Sequence, residues 1–286
     1  TLFPQAISMA ATWNTEIAKQ SGEITSLETK ASGIAWNYYP VMDIGRQPLW
    51  SRLWETFGED VYLASQMGAS YIKGAQGDDM SAPNKLATCL KHYVGYSFPI
   101  NGLDRTPAWI SERMMREYFL PTFEAGILAG SPSVMVNSGE VDGIPVHSDY
   151  YLLTEVLRGE LKFDGVVVSD WEDIARLFTR DKVANSPKDA VRMAVMAGID
   201  MSMVPYNFSF YDHLLELVKE GTVPMKRIDE AVSRILKVKV QLGLFENPYP
   251  DKTMKDKLPV DEFTKINLQA ATESITLVKN QDNLLP

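Results

Sequence analysis

Apolar positions along this chain follow two alternating rhythms. Short runs rich in β-branched residues end in a polar side chain, and each is followed by a longer stretch with an apolar residue every three or four positions. Five such pairs occur: 34–43 then 61–76, 86–92 then 111–129, 133–137 then 150–161, 165–170 then 187–197, and 199–204 then 211–220. Strand followed by helix, repeated, predicts βαβ units on a parallel sheet. Asp149 is placed to cap the helix that starts at Tyr150, and Ser186-Pro187 reads as a helix start. Gly130, Gly198 and Gly221 sit where helices should stop. A further amphipathic helix is predicted over 224–242, with Ile228, Ala231, Ile235, Val238 and Leu242 on one stripe. A polar linker is expected over 246–261, then a last helix and a β-rich run at 275–278.

The chain has 286 residues, enough for two domains or one large α/β barrel. No Gly-rich phosphate fingerprint or Walker motif occurs, which favours a TIM-type (β/α) barrel over a dinucleotide-binding sheet. The 28 basic against 37 acidic residues leave a net charge of −9, the wrong sign for a phosphate backbone, so no nucleic-acid partner is expected. No apolar run approaches the ~18 residues of a membrane-spanning helix, so no membrane partner is expected either. One cysteine, Cys89, and three histidines exclude a Cys-based zinc cluster and make a His-rich metal site a poor expectation. Both ends read as cut from a longer chain, with the barrel incomplete at its N-terminus. A barrel domain is expected over 1–245, and 246–286 as a linker and entry to a further domain.

In a β/α barrel the working residues stand at the C-terminal ends of strands. The polar terminators are Asp43, Lys91 with His92, Asn137 and Asp170. Asp170 follows Val166-Val167-Val168-Ser169 and precedes Trp171: a rigidly held carboxylate suits a nucleophile, and an indole suits the flat face of a sugar ring. Read alone, the same pair can be a helix cap beside a core tryptophan. Lys91 can donate to adjacent hydroxyls and favours a nearby ionised carboxylate, or it can serve as the amine of a Schiff-base aldolase. Arg52 and Arg105 each present a guanidinium suited to hydroxyl pairs or carboxylates, or to a structural ion pair.

Taken together, these motifs resemble glycoside hydrolase family 3. The segments that carry the similarity are Phe3-Pro4-Gln5 with Ala11-Thr12-Trp13-Asn14, Pro40-Val41-Met42-Asp43-Ile44, Trp50-Ser51-Arg52 through Glu55 to Asp60, Lys91-His92-Tyr93, Ile110-Ser111-Glu112-Arg113, and Val168-Ser169-Asp170-Trp171. The resemblance implies a retaining, exo-acting β-glycosidase of the β-glucosidase type, taking a β-glucoside or short β-glucan oligosaccharide with no cofactor and no metal. By that resemblance Asp170 is the nucleophile. Lys91, His92, Arg52 and Arg105 would hold hydroxyls of the terminal sugar, and Met135 and Trp171 would line the subsite.

Three departures from the family pattern stand out. Its upstream Asp-x-x-His-Gly segment would lie before residue 1. Ser138 stands where many members carry a Tyr beside the nucleophile. The family's acid/base Glu comes from a C-terminal domain of the same parent chain, to which 276–286 resembles the entry; Glu140 is read as a loop carboxylate rather than a stand-in. The isolated chain should therefore be a feeble catalyst. Two other readings are a Schiff-base aldolase barrel using Lys91 and a non-catalytic sugar-binding module. Family members of this kind are periplasmic, secreted or lysosomal.

Overall fold

The computed structural model describes residues 2–249, 251, 253–283 and 285. Pro250 and Lys252 of the expected linker, and Leu284 and Pro286 of the expected domain entry, lie outside the described residues.

The chain opens with α1 (Ala6–Ala11) and α2 (Thr15–Ala31), the second capped by Asn14, whose side chain accepts the N–H groups of Glu16 and Ile17. α3 (Val61–Gln76) packs along α2 and is capped by Asp60. Two glycines allow that helix pair to touch backbone to backbone: a Cβ on Gly22 would collide with the Tyr71 carbonyl, and one on Gly74 with the Lys19 carbonyl.

The sheet is parallel, with β1 (Cys89–Tyr93) paired to β2 (Ser133–Val136) and β2 to the last strand. Between these strands run α4 (Glu112–Met114), a π-helical turn at Met115–Phe119, and α5 (Leu120–Leu128). A small antiparallel hairpin of β3 (Glu140–Val141) and β4 (Ile144–Pro145) follows β2. A π-helix at Tyr151–Glu160 then leads into β5 (Val166–Val168). Parallel bridges extend the sheet at both edges, Trp36 to Ala87 and Val41 to Lys91 on one side, Val168 to Met201 on the other. Five consecutive parallel segments thus form a curved β/α-barrel wall, as the strand–helix alternation predicts.

The outer layer continues with α6 (Asp173–Thr179), α7 (Pro187–Ala197), α8 (Ser209–Lys219), α9 (Met225–Gln241) and α10 (Val260–Glu273). Cys89, Met135 and Val168 fill the barrel interior with Trp36 and Met203 against them, while Leu90, Val134 and Val167 face the helices and join the main core. At the N-terminal ends of the strands, buried Asp200 binds Arg158 at 2.7 Å, Arg227 at 2.9 Å, Arg234 at 3.0 Å and the Val167 N–H at 3.0 Å.

Sequence and structure differ in several places. α1, α2 and α6 arise where no helix was expected. The run 34–43 pairs only through isolated bridges. Residues 275–278 form no strand, since no neighbouring strand meets them among the described residues; their β-branched side chains lie largely in solvent. Within 246–286, α10 packs back on α1 and α2, with Ala270 fully buried and Asn14 donating to Glu273 at 3.0 Å.

Candidate active site

Asp170 is two residues past the end of β5, in a loop fixed by its neighbours. Ser169 donates its N–H to the Met201 carbonyl at 2.9 Å and accepts the Met203 N–H on its hydroxyl at 2.8 Å. Glu172 donates its N–H to the Met203 carbonyl at 2.9 Å and takes a left-handed φ of 58°, which turns the chain sharply into α6. The Trp171 N–H donates to Asp170 Oδ1 at 2.6 Å and the Asp170 N–H donates to His147 Nε2 at 3.1 Å. Backbone and carboxylate are therefore both held. The side chain keeps a little exposure toward the mouth.

A second group forms at the end of β1. Asp43 Oδ2 accepts the backbone N–H and the Nδ1–H of His92, each at 2.9 Å. Arg52 Nη2 lies 3.2 Å from His92 Nε2. Since guanidinium can only donate, Nε2 is the acceptor and the proton is on Nδ1, a tautomer assigned from these partners. Burial first, then the charges of Arg52 and Lys91, hold His92 well below its ordinary value, so it is neutral. Burial pushes the Asp43 carboxyl up to about 7 against the opposing pull of the His92 N–H and of Arg52.

Arg52 spends its fork within the protein. It is bidentate on Glu55 at 2.8 Å through Nε and Nη2, and Nη1 donates to the Tyr96 hydroxyl at 3.1 Å. Burial lowers the Lys91 ammonium first, Arg52 lowers it further, and Glu55, Cys89 and Asp170 oppose the shift. Lys91 and His92 are adjacent on β1, and the charge of Asp170 opposes the lowering of both. Lys91 also lines a cavity of about 360 Å³ with Glu55, Trp54, Tyr39 and Phe3; Asp170 is not on its wall.

Arg105 approaches Asp170 from the loop after β1, its Nη2 lying 4.0 Å from Asp170 Oδ2. Trp171 is 42% exposed and makes a T-shaped contact with Tyr206, their ring centroids 5.8 Å apart. Met135 is buried below the mouth in the interior layer with Cys89 and Val168. Asn137 works within the loop: its amide donates to the Val94 carbonyl at 2.7 Å and its oxygen accepts the Gly139 N–H at 2.6 Å. Glu140 is the first residue of β3.

Asp170, Lys91, His92, Arg52, Arg105 and Trp171 thus gather at the C-terminal ends of neighbouring strands, while Met135 lies beneath them. Sequence reading missed His147, Asp173, Tyr206, Tyr96 and the pairing of Glu55 with Arg52. Only Glu55 carried a signal, its spacing of three from Arg52.

Residues 1–238 match the Glycosyl hydrolase family 3 N terminal domain. The chain is 51% identical over 295 residues to the lysosomal beta glucosidase of Dictyostelium discoideum, an alignment covering 100% of this chain and 36% of that protein. It is 35% identical over 292 residues to the periplasmic beta-glucosidase of Salmonella typhimurium, covering 100% of this chain and 38% of that protein. A mutant beta-glucosidase from Listeria innocua in complex with laminaribiose superposes with a TM-score of 0.94 at 34% identity, over 100% of this chain and 40% of the other. The chain spans well under half the length of each of these relatives.

Proposed function

The chain belongs to glycosyl hydrolase family 3 as an N-terminal domain, and on that footing we propose that it is the nucleophile-bearing barrel of a retaining, exo-acting β-glycosidase of the β-glucosidase type. The observation that carries this reading is the Asp170 carboxylate held by its neighbours at the end of β5 with the Arg105 guanidinium 4.0 Å away, in a chain whose residues 1–238 match the family's N-terminal domain. Arg105 brings a positive group beside the carboxylate that attacks, and the neutral His92 ring is fixed between Asp43 and Arg52.

In the first step an Asp170 oxygen bonds to the anomeric carbon as the bond to the leaving oxygen breaks, through an oxocarbenium-like transition state. The leaving oxygen takes its proton from an acid/base Glu in the remainder of the parent protein. Water then attacks the same carbon, gives its proton to that Glu, and frees Asp170. In this reading residues 1–245 are the catalytic barrel and 246–286 connect it to the domain that supplies the Glu. The greater length of the relatives supports that division. Lys91, His92 and Arg52 frame the terminal sugar, and Trp171 receives the ring that leaves. The imine route through Lys91 finds no relative among these β-glycosidases.

The test is to trap the full-length protein with a 2-deoxy-2-fluoro-β-glucoside carrying a good leaving group and to map the labelled peptide. The sugar is expected on Asp170. A label on any other side chain refutes the assignment.

A further inference from the structure

Resting on the reading of Asp170 as nucleophile, we infer that Arg105 is a positioning residue for that carboxylate, locked in place by Ser138 and Asp173, rather than a ligand for sugar hydroxyls.

The loop that carries Arg105 has turned its backbone to a left-handed φ of 61°, a conformation an arginine adopts only when its surroundings hold it there. The side chain then runs across the barrel mouth to three carboxylates. Nε lies 3.6 Å from Asp104 Oδ2, Nη1 lies 3.8 Å from Asp173 Oδ1, and Nη2 lies 4.0 Å from Asp170 Oδ2. Nη1 also donates to the Ser138 hydroxyl. Every nitrogen of the fork therefore faces a protein oxygen.

The two locks are themselves fixed. Ser138 is fully buried in the turn that Asn137 ties to Val94 and Gly139. Asp173 is buried at the start of α6, hydrogen-bonded to Arg176 and to the Ser138 side chain and 3.9 Å from Arg180. Asp104 is anchored by the Trp50 indole N–H at 3.0 Å. At Ser138 a bulkier hydroxyl such as tyrosine would reach toward the carboxylate directly. The short serine instead holds a guanidinium that does so.

The chemical consequence falls on the second step. As water attacks, the bond between Asp170 and the anomeric carbon breaks and both electrons return to the carboxylate. A fixed cation beside that oxygen stabilises the developing negative charge. A hydroxyl ligand would act on sugar affinity instead.

The experiment measures two quantities in the full-length protein: the rate at which the trapped fluoroglucosyl group is released to water, and the dissociation constant for glucose. For Arg105→Gln, release is expected to slow by about tenfold or more while the glucose constant stays within about twofold. Arg105→Lys keeps the charge and is expected to recover most of the release rate. Ser138→Ala frees the fork without altering charge and is expected to slow release by about threefold; it keeps the test open if Arg105→Gln fails to fold. Unchanged release with the label on Asp170, or a glucose constant raised about tenfold with release intact, overturns the inference. A label found elsewhere overturns the nucleophile assignment itself.

Discussion

His147 Nε2 accepts the backbone N–H of Asp170 at 3.1 Å, so a neutral imidazole fixes the peptide from which the Asp170 carboxylate hangs. Its other nitrogen is bound to the Asn137 backbone. Burial, set against the pull of Asp170, drops this imidazole to about 4. A depressed folded value means that protonation is resisted in the native state. Its contribution to stability is complete above the ordinary ~6.5 and is lost as pH falls toward 4. The span corresponds to about 3 kcal/mol. Asp43, pushed up to about 7, works in the opposite sense over an overlapping range. The comparison must therefore be between wild type and His147→Gln, which keeps an acceptor but does not titrate. Urea unfolding at pH 7 and pH 4.5 should show wild type losing about 2 kcal/mol relative to the variant. A constant difference would mean that the imidazole already titrates freely.

The Asp43–His92 pair makes a second prediction. Asp43→Ala strands two buried N–H donors of His92 and frees the ring to rotate. A loss of about 1–3 kcal/mol of stability is expected. In the full-length protein, kcat/KM should fall about 10–100-fold, chiefly through KM, because the ring edge offered to the sugar is no longer fixed. Asp43→Asn retains one acceptor and should recover part of both. Activity equal to wild type in Asp43→Ala would remove His92 from the site.

Much of this arrangement was readable from sequence wherever the cause is local. Residues 61–76 and 187–197 are helices to the residue, because Asp60 and Ser186 are strong N-caps before well-spaced apolar stripes. Lys91 and His92 were visible because they are adjacent at a strand end. α2 was hidden because its buried face is built from Ser21, Gly22 and Ser26 as well as Ile17 and Ile24, the small residues being demanded by α3 rather than by the helix itself. His147 and Asp173 were hidden for a related reason. Their partners, Asp170 and Arg105, are chosen by the barrel's curvature and not by spacing along the chain. The β-branched run 275–278 misled because propensity alone does not make a strand without a partner.

Asp200 should be the costliest single charge to remove. Three guanidiniums and the Val167 N–H converge on it in full burial, and burial already lowers the Arg158 guanidinium to about 10. Asp200→Asn leaves these cations facing an uncharged group and should cost about 3–5 kcal/mol in urea. The exposed Lys237–Asp164 pair, at 2.6 Å, is the control, and Lys237→Ala should change stability by less than about 1 kcal/mol. Equal effects from the two variants would refute the claim that burial decides the difference.

Trp171 contributes to the site through two separable parts. Its backbone N–H, on Asp170 Oδ1 at 2.6 Å, survives truncation of the side chain, whereas the half-exposed indole stands in T-shaped contact with Tyr206. Trp171→Ala in the full-length protein should therefore keep the rate of trapping at saturating fluoroglucoside within about threefold, since the Asp170 carboxylate stays oriented. KM for a disaccharide should rise about tenfold, the size expected for losing one aromatic face against a sugar ring. Tyr206→Ala, which removes only the neighbouring ring, should show a smaller rise in the same direction. If Trp171→Ala instead abolishes trapping while leaving KM alone, the ring supports the nucleophile and not the departing sugar.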